Sequence, residues 1–516
     1  MLSRTSSFDD LATWDDVVLH SIQPAMSPVD PIEDEMEIEP IEPMYIDPRP
    51  VLPEVAEIDA GIADLEAKLI ALRHRRCQLL ASHSLVSYIP EEILSRVFEI
   101  GVHEQNGLLP VLSLVSRHWR NVALSTPNIW TYICLDSDGG YPARHSCFMR
   151  KLRVYLERSQ ACKLYVDLDC RYIEQPHELQ QMMAELESHL NRCFYFRVSA
   201  IDWHWMDIVR NGVHRLGPAL EAIYLGLDPS DSEDQAPFTV LSNPCPNLRS
   251  VVLEHAPLIC VRTQMPSLRV LHLIRDQRYP SSSRISMSFK ELVAVTCASR
   301  TLEALRIQSA QFLLDGDESV FKSARGHAIF SQLRVLAFNH VDANNLALFL
   351  DAGTFPCLVR LAVQMDASSS ENMHWLGRLS AESAARFPVL RHLDLKACNI
   401  DGAALVPFVQ ALHQLPSLTG LGLSSPPTGH LGGRLFEQLR SRPTDGEPWI
   451  LPHLQALCVQ NCRDISGHEL LQVVRARIAG GPVVVPIRYL KISQCFGLDA
   501  EVHQQLTRIV DSVHVY

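Results

Sequence analysis

The chain has 516 residues, is 47% hydrophobic and carries a formal net charge of -13 at pH 7. That length accommodates two or more domains, and the apolar content supports a sizeable core. Residues 1–53 hold 12 acidic residues against Arg4 and Arg49, so the remainder is close to neutral, which argues against a general nucleic-acid binder. No apolar run reaches the ~18 residues a membrane span needs, and the opening MLSRTSSFDDLATWDD lacks the apolar core of a secretory signal. Fourteen cysteines without paired spacing fit a reducing compartment, so the chain is expected to be soluble, cytoplasmic and/or nuclear, with no membrane and no nucleic acid as partners.

The first segment, residues 1–53, is expected to be a disordered acidic leader. Its proline-rich run DPIEDEMEIEPIEP lacks the apolar surface that would offset chain entropy. A solvated tail and an acidic docking tail both fit this composition. Residues 54–83 are expected to form a heptad helix. Ile58, Ile62, Leu65, Leu69 and Leu72 follow the 4-3-4-3 spacing of a coiled-coil seam, Arg76 breaks it, and Leu79 resumes it. Acidic residues precede basic ones along it, which suits the helix dipole. The seam could pair with another copy or pack on the helices that follow.

Residues 84–135 are expected to fold as a small all-α domain. Pro90 suits a first helical turn, Glu91 and Glu92 suit the positive end of the dipole, and Ile93, Leu94, Val97 and Phe98 recur at helical spacing. Gly101 is expected to end that helix. A second helix is expected to open at Pro110 and to carry Leu112, Val115, Trp119 and Val122 on one face, with a short turn from Thr126 to Trp130. Such short helices cannot bury all these side chains among themselves, so some of the surface awaits a partner. The order Ile89-Pro90-Glu91-Glu92-Ile93-Leu94, Val97-Phe98, Leu112 to Arg120 and Trp130 resembles the F-box family, especially the F-box-like proteins of mushroom-forming fungi, with Ile89 and Ser116 as small departures. The resemblance implies docking on the Skp-type adaptor and cullin scaffold of a ubiquitin ligase, with Pro90, Ile93, Leu94, Val97, Phe98, Leu112, Val115 and Trp119 as adaptor-binding residues.

From residue 150 to 516 a Leu-x-x-Leu-x-Leu motif returns. Its copies begin at Leu220, Leu248, Leu268, Leu302, Leu333, Leu358, Leu390, Leu418, Leu454 and Ile487, in steps of 20 to 36 residues. Cys193-Phe196-Val198 is a degenerate earlier copy, and the stretch around Leu164 is another. This is a leucine-rich-repeat period, in which each strand-plus-helix unit buries its apolar face only by stacking. The expected fold class is therefore α/β: a leucine-rich-repeat solenoid preceded by a small all-α F-box domain and a disordered acidic N-terminus. Cys398, Cys462 and Cys495 follow three of the strands at one position and resemble the buried cysteines of repeats that commonly follow F-boxes. Cys458 and Cys462 have no matching pair of zinc ligands.

No phosphate-binding loop, nucleophile elbow, HExxH or strand-following GxGxxG is present, so neither an enzyme nor a cofactor is expected. The residues flanking the inward leucines are polar and mixed in charge: Arg306, Gln308, Asn339, Arg360, Gln364, His392, Asp394, Lys396, Tyr489 and Lys491. They are the expected binding face for a target protein. The function expected is that of a substrate-recognition adaptor in a cullin-RING ubiquitin ligase. The alternative is a repeat interaction scaffold acting outside any ligase.

Overall fold

The computed structural model describes residues 53–82, 89–105, 107–135, 144–170, 173, 175–201, 205–227, 241, 243–256, 258, 265–274, 286–309, 311–313, 328–365, 373–380, 386–400, 402–425, 433–441, 449–462, 465–495 and 498–515. The acidic leader, apart from Pro53, lies outside them. The chain divides into two compact units, Met1–Trp130 and Thr131–Tyr516.

In the first unit, α1 (Pro53–Ser82) is a 30-residue helix that matches the heptad segment. It is followed by α2 (Glu91–Glu104), α3 (Leu108–Val115), α4 (Arg117–Ser125) and a single 3-10 turn, Pro127–Trp130. The helix expected to run from Pro110 through Val122 is thus two helices. Ser116 breaks it by taking an extended conformation, φ -158° and ψ 166°, and its hydroxyl accepts a hydrogen bond from the Trp119 amide at 3.1 Å. That is an N-cap, which satisfies one of the amide donors a helix start leaves open. Thr126 does not cap the last turn; its hydroxyl donates back to the Val122 carbonyl at 2.7 Å. Leu94, Phe98, Val102, Leu109, Leu112, Val122, Ala123, Ile129 and Trp130 are buried. The Trp130 indole donates to the Ala123 carbonyl at 2.9 Å, so this large ring is buried with its polar atom satisfied.

The second unit is a repeat array built on one parallel sheet of 14 strands taken in chain order. They are β1 (Tyr132–Leu135), β2 (Leu164–Asp169), β3 (Cys193–Ile201), β4 (Ala222–Leu227), β5 (Ser250–Glu254), β6 (Val270–Ile274) and β7 (Ala304–Gln308). The rest are β8 (Val335–Val341), β9 (Arg360–Met365), β10 (His392–Lys396), β11 (Gly420–Ser424), β12 (Ala456–Gln460), β13 (Tyr489–Ser493) and β14 (Ser512–Val515). Residues 132–135, grouped above with the helical domain, are the first strand of the sheet, paired Ile133 to Val166 and Leu135 to Leu168. The array begins before residue 150 because the alternation Tyr-Ile-Cys-Leu already offers the sheet one buried face, at Ile133 and Leu135.

Every leucine-motif position named above from Leu220 onward is buried, none more than 4% exposed. In-register pairing explains this. Leu271, Leu305, Leu336, Leu361, Leu393, Leu421, Leu457 and Leu490 form one continuous row across eight strands. A one-residue slip would turn a whole strand's leucines outward. Between strands the chain returns through helices such as Pro176–Glu187, Ala343–Ala352, Leu405–His413 and Gly467–Ala479. Parallel neighbours need such crossovers.

Many strands are entered through the same tight turn. The Leu358 amide donates to Phe355 O at 3.2 Å, Leu390 to Phe387 at 3.3 Å, Leu418 to Leu415 at 3.1 Å and Leu454 to Leu451 at 3.0 Å. Pro356, Pro388, Pro416 and Pro452 stand second in these turns, where the ring presets φ. Several strands end at a left-handed residue: His255, Ser309, Ala397, Asn461 and Gln494 have φ between 52° and 54° across. After three of these come the expected cysteines. Cys398 and Cys462 are fully buried, while Cys495 is half-buried. Each thiol donates to the carbonyl two residues back, at 3.3 Å to Lys396, 3.0 Å to Gln460 and 3.4 Å to Ser493. A small side chain with a weak donor suits this position, because the left-handed turn leaves that carbonyl pointing at it.

Candidate functional site

Two surfaces carry unspent recognition chemistry. The first is on the helical unit. α2 has two apolar stripes one residue apart. Leu94, Phe98 and Val102 point inward, whereas Ile93, Val97 and Ile100 remain about half exposed, at 56%, 55% and 49%. α3 repeats the pattern, with Leu109 and Leu112 buried and Val111, Leu114 and Val115 exposed at 53%, 77% and 54%. The eight residues expected to touch an adaptor therefore separate. Pro90, Ile93, Val97 and Val115 are accessible and Trp119 is half-buried, packed on Phe98 with ring centroids 5.0 Å apart. Leu94, Phe98 and Leu112 are corrected to core residues: they are 2%, 1% and 4% exposed and are consumed by the packing of the helices on each other. The accessible residues that the sequence reading missed are Ile100, Val111 and Leu114. Ile100 sits at i+7 from Ile93 on α2, and Val111 sits at i−4 from Val115 on α3 with Leu114 next to Val115, so spacing along each helix would have grouped them with the residues named there.

Polar contacts fix the outer edge of α2. Glu99 accepts from Asn128 Nδ2 at 2.9 Å and from Arg96 at 2.8 Å. The Asn128 hydrogen bond is the main reason the Glu99 carboxyl is held below its ordinary range.

The second surface is the outward side of the sheet. All ten residues expected to meet a target lie there, and none is buried. Pairing sets them in three rows. Arg360, His392 and Tyr489 share the first, Arg306, Asp394 and Lys491 the second, and Gln308, Asn339, Gln364 and Lys396 the third. Arg360 Nε lies 2.9 Å from Asp394 Oδ2, and both side chains are about three-quarters covered. The Asp394 carboxylate leans over Gly422, where a Cβ would stand 2.3 Å from Oδ1. Glycine at 422 is therefore what lets the Arg360–Asp394 pair lie flat on the sheet. His392 is pushed toward its neutral form, first by burial, while Asp394 beside it works in the opposite direction. The ten residues include four basic side chains, Arg306, Arg360, Lys396 and Lys491, and one acidic one, Asp394, so they are net basic in a chain of net charge -13.

At the other end of the same face, β1 to β4 present a ladder that the leucine motif did not announce. Tyr132 stacks on Tyr165 at 4.3 Å and Tyr165 on Tyr195 at 4.1 Å. Arg197 lies 4.5 Å over the Tyr224 ring and 3.5 Å from Asp167, and the Tyr224 hydroxyl donates to the Glu254 carboxylate. Burial is the first cause of the raised pKa values of Tyr165, Tyr195 and Tyr224.

Midway along the face His272 is 7% exposed, and its Nε2 makes no hydrogen bond among the described residues. Burial, and then the neighbouring Arg306 guanidinium, push its pKa from 6.5 to about 3. An unfolded chain protonates this imidazole near 6.5 while the fold does not, so its contribution is fully present above that pH and lost below it. The loss amounts to about 1.4 kcal/mol per pH unit, or about 2 kcal/mol at pH 5. Urea unfolding at pH 7 and pH 5 should show a fall in stability that is about 2 kcal/mol smaller in His272→Leu than in the parent chain. Equal falls in the two proteins would show that His272 is not held neutral.

No group of three or more potential metal ligands occurs among the described residues, and no described helix is long and apolar enough to cross a membrane. No protein-family model matches the sequence, and no curated protein matches it. Among solved structures it is similar to a chain of the "Crystal structure of TLR13-ssRNA13 complex", at 13% identity and a TM-score of 0.33. The match covers 69% of this chain and spans about half, 52%, of that one.

Proposed function

We propose that the protein is a substrate-recognition adaptor of a cullin-RING ubiquitin ligase, its F-box-like helices docking a Skp-type adaptor and its leucine-rich repeats holding a target protein. The observation that carries this reading is the second apolar stripe. Ile93, Val97, Ile100, Val111, Leu114 and Val115 stay outward after the core of the helical unit is filled. Large apolar side chains left in this number on small helices mark a protein interface. The sheet face supports the second half of the reading. Its rows of guanidinium, ammonium and amide groups suit a folded or extended protein segment bearing carboxylates. The work done is proximity: a tethered target lysine meets a charged thioester at high effective concentration, and the protein itself makes no bond.

Binding of the purified full-length chain to a Skp-type adaptor tests the proposal. Val97→Asp with Leu114→Asp should weaken capture at least ~100-fold, because two central contacts of ~2 kcal/mol each are replaced by buried charge. Thermal unfolding should change little, since both side chains are more than half exposed. Capture of the adaptor at parental strength by this variant would overturn the docking. A chain that never binds the adaptor, yet loses a target when Lys396 and Lys491 are reversed to Glu, would be a repeat scaffold outside any ligase.

A further inference from the structure

Helix α1 is the longest in the described chain, and its apolar seam faces solvent. Ile58, Ile62, Leu65, Leu69 and Leu72 are exposed at 62%, 49%, 66%, 47% and 66%. The seam therefore does not pack on α2 to α4, one of the two uses its spacing allowed. Most of the stability of a helix in a protein comes from packing of its apolar face rather than from intrinsic propensity. The seam is 3.5-periodic, which suits a facing helix and no other shape as well.

The charge along α1 selects the occupant. Its first half carries Glu54, Glu57, Asp59, Asp64 and Glu66, and its second half carries Lys68, Arg73, Arg75 and Arg76. One acidic–basic contact, Asp64 to Lys68 at 2.6 Å, is made within the helix, both side chains remaining more than 60% exposed. A helix with opposite charge in its two halves complements itself when reversed. In a parallel pair, Arg76 would face Arg76 of the other copy across the seam, and Lys68 would face Arg73. In an antiparallel pair centred between Leu65 and Leu69, Leu65 packs on Leu69 of the other copy and Ile62 on Leu72. Arg76 then meets Ile58, with Asp59 beside it to take the guanidinium. Arg76, which spoils the heptad as a simple repeat, becomes the residue that sets direction.

We propose that a second copy of this chain covers the seam, with α1 pairing antiparallel to α1 through the layers Ile62–Leu72 and Leu65–Leu69. This does not depend on the ligase reading, because none of the seam residues belongs to the exposed stripe of α2 and α3. Homodimerisation would present two helical units and two sheet faces in one particle, which raises avidity for a target that carries two epitopes.

Light scattering on the full-length chain during size exclusion should give twice the 58.0 kDa chain mass. Leu65→Asp with Leu69→Asp should raise the dissociation constant by more than ~100-fold and return the mass to that of one chain. Direction is read separately, in a background with the exposed Cys77 and Cys147 replaced by Ser, by oxidising a mixture of one protein bearing Ile62→Cys and another bearing Leu72→Cys. Crosslinks between the two proteins are expected, and none within either alone. A monomer at ~50 μM, or a dimer that survives the double Asp substitution, would overturn the proposal. Crosslinking of the Ile62→Cys protein with itself, or of the Leu72→Cys protein with itself, through the introduced thiol would overturn the antiparallel arrangement.

Discussion

Phe98→Ala is expected to destabilise the helical unit by ~3–5 kcal/mol, the range for removing a buried aromatic ring. Phe98 is 1% exposed and lies on α2 between Leu94 and Val102, against the Trp119 ring of α4. Helices of 14, 8 and 9 residues cannot persist without the core they share, so the loss should be felt by all three. Hydrogen exchange across residues 91–125 should accelerate throughout. Val97→Ala, one position earlier, removes a side chain already 55% exposed and should cost well under ~1 kcal/mol. The pair separates folding from docking: Val97 substitutions should act on partner capture alone, and Phe98 substitutions on folding first. Similar losses of stability for both would mean that the inward and outward stripes of α2 are wrongly divided.

That division shows where sequence reading stops. Ile93, Leu94, Val97 and Phe98 are all apolar at helical spacing, so periodicity establishes the helix and leaves open which stripe the core takes. Only the positions of α3 and α4 decide it. The sheet was far more legible. Each Leu-x-x-Leu-x-Leu copy fixes one strand and its inward face, which places Arg360, Asp394 and Lys396 outward by alternation alone. Beyond alternation, Gly422 is what seats the Arg360–Asp394 pair, and that depends on register between different strands. β1 and β14 escaped notice because Tyr132–Leu135 and Ser512–Val515 are four residues each and carry little leucine. The entry turns did have a local signal. A proline two residues before the first motif leucine recurs at Pro246, Pro266, Pro356, Pro388, Pro416 and Pro452. It lengthens the repeat signature to an apolar residue, Pro, any residue and Leu ahead of each strand.

The first residue of that turn is phenylalanine in three places, one of them with Ser331 in place of the proline, and Phe355→Ala should therefore be the most damaging single change in the array. Phe330, Phe355 and Phe387 open the turns into β8, β9 and β10. The Phe355 ring stacks on Phe330 at 4.8 Å and on Phe387 at 5.5 Å, with interplanar angles of 3° and 6°. Phe349, from the helix Ala343–Ala352, closes on the same ring at 6.1 Å. Phe355 is 0% exposed and touches three consecutive repeats, so its loss removes area burial and two stacked pairs together. A truncation of this kind costs ~3–5 kcal/mol, and each aromatic pair adds ~0.5–1.5 kcal/mol beyond its area. Phe355→Leu keeps much of the volume and should cost less than half as much. In a stacked array each repeat leans on its neighbours, so the loss of exchange protection should centre on β8 to β10 and fade toward β1 to β3. Equal loss of protection over residues 132–201 would show instead that the sheet opens as one cooperative body. Unchanged protection at β9 would show that the phenylalanine stack does not hold these repeats together.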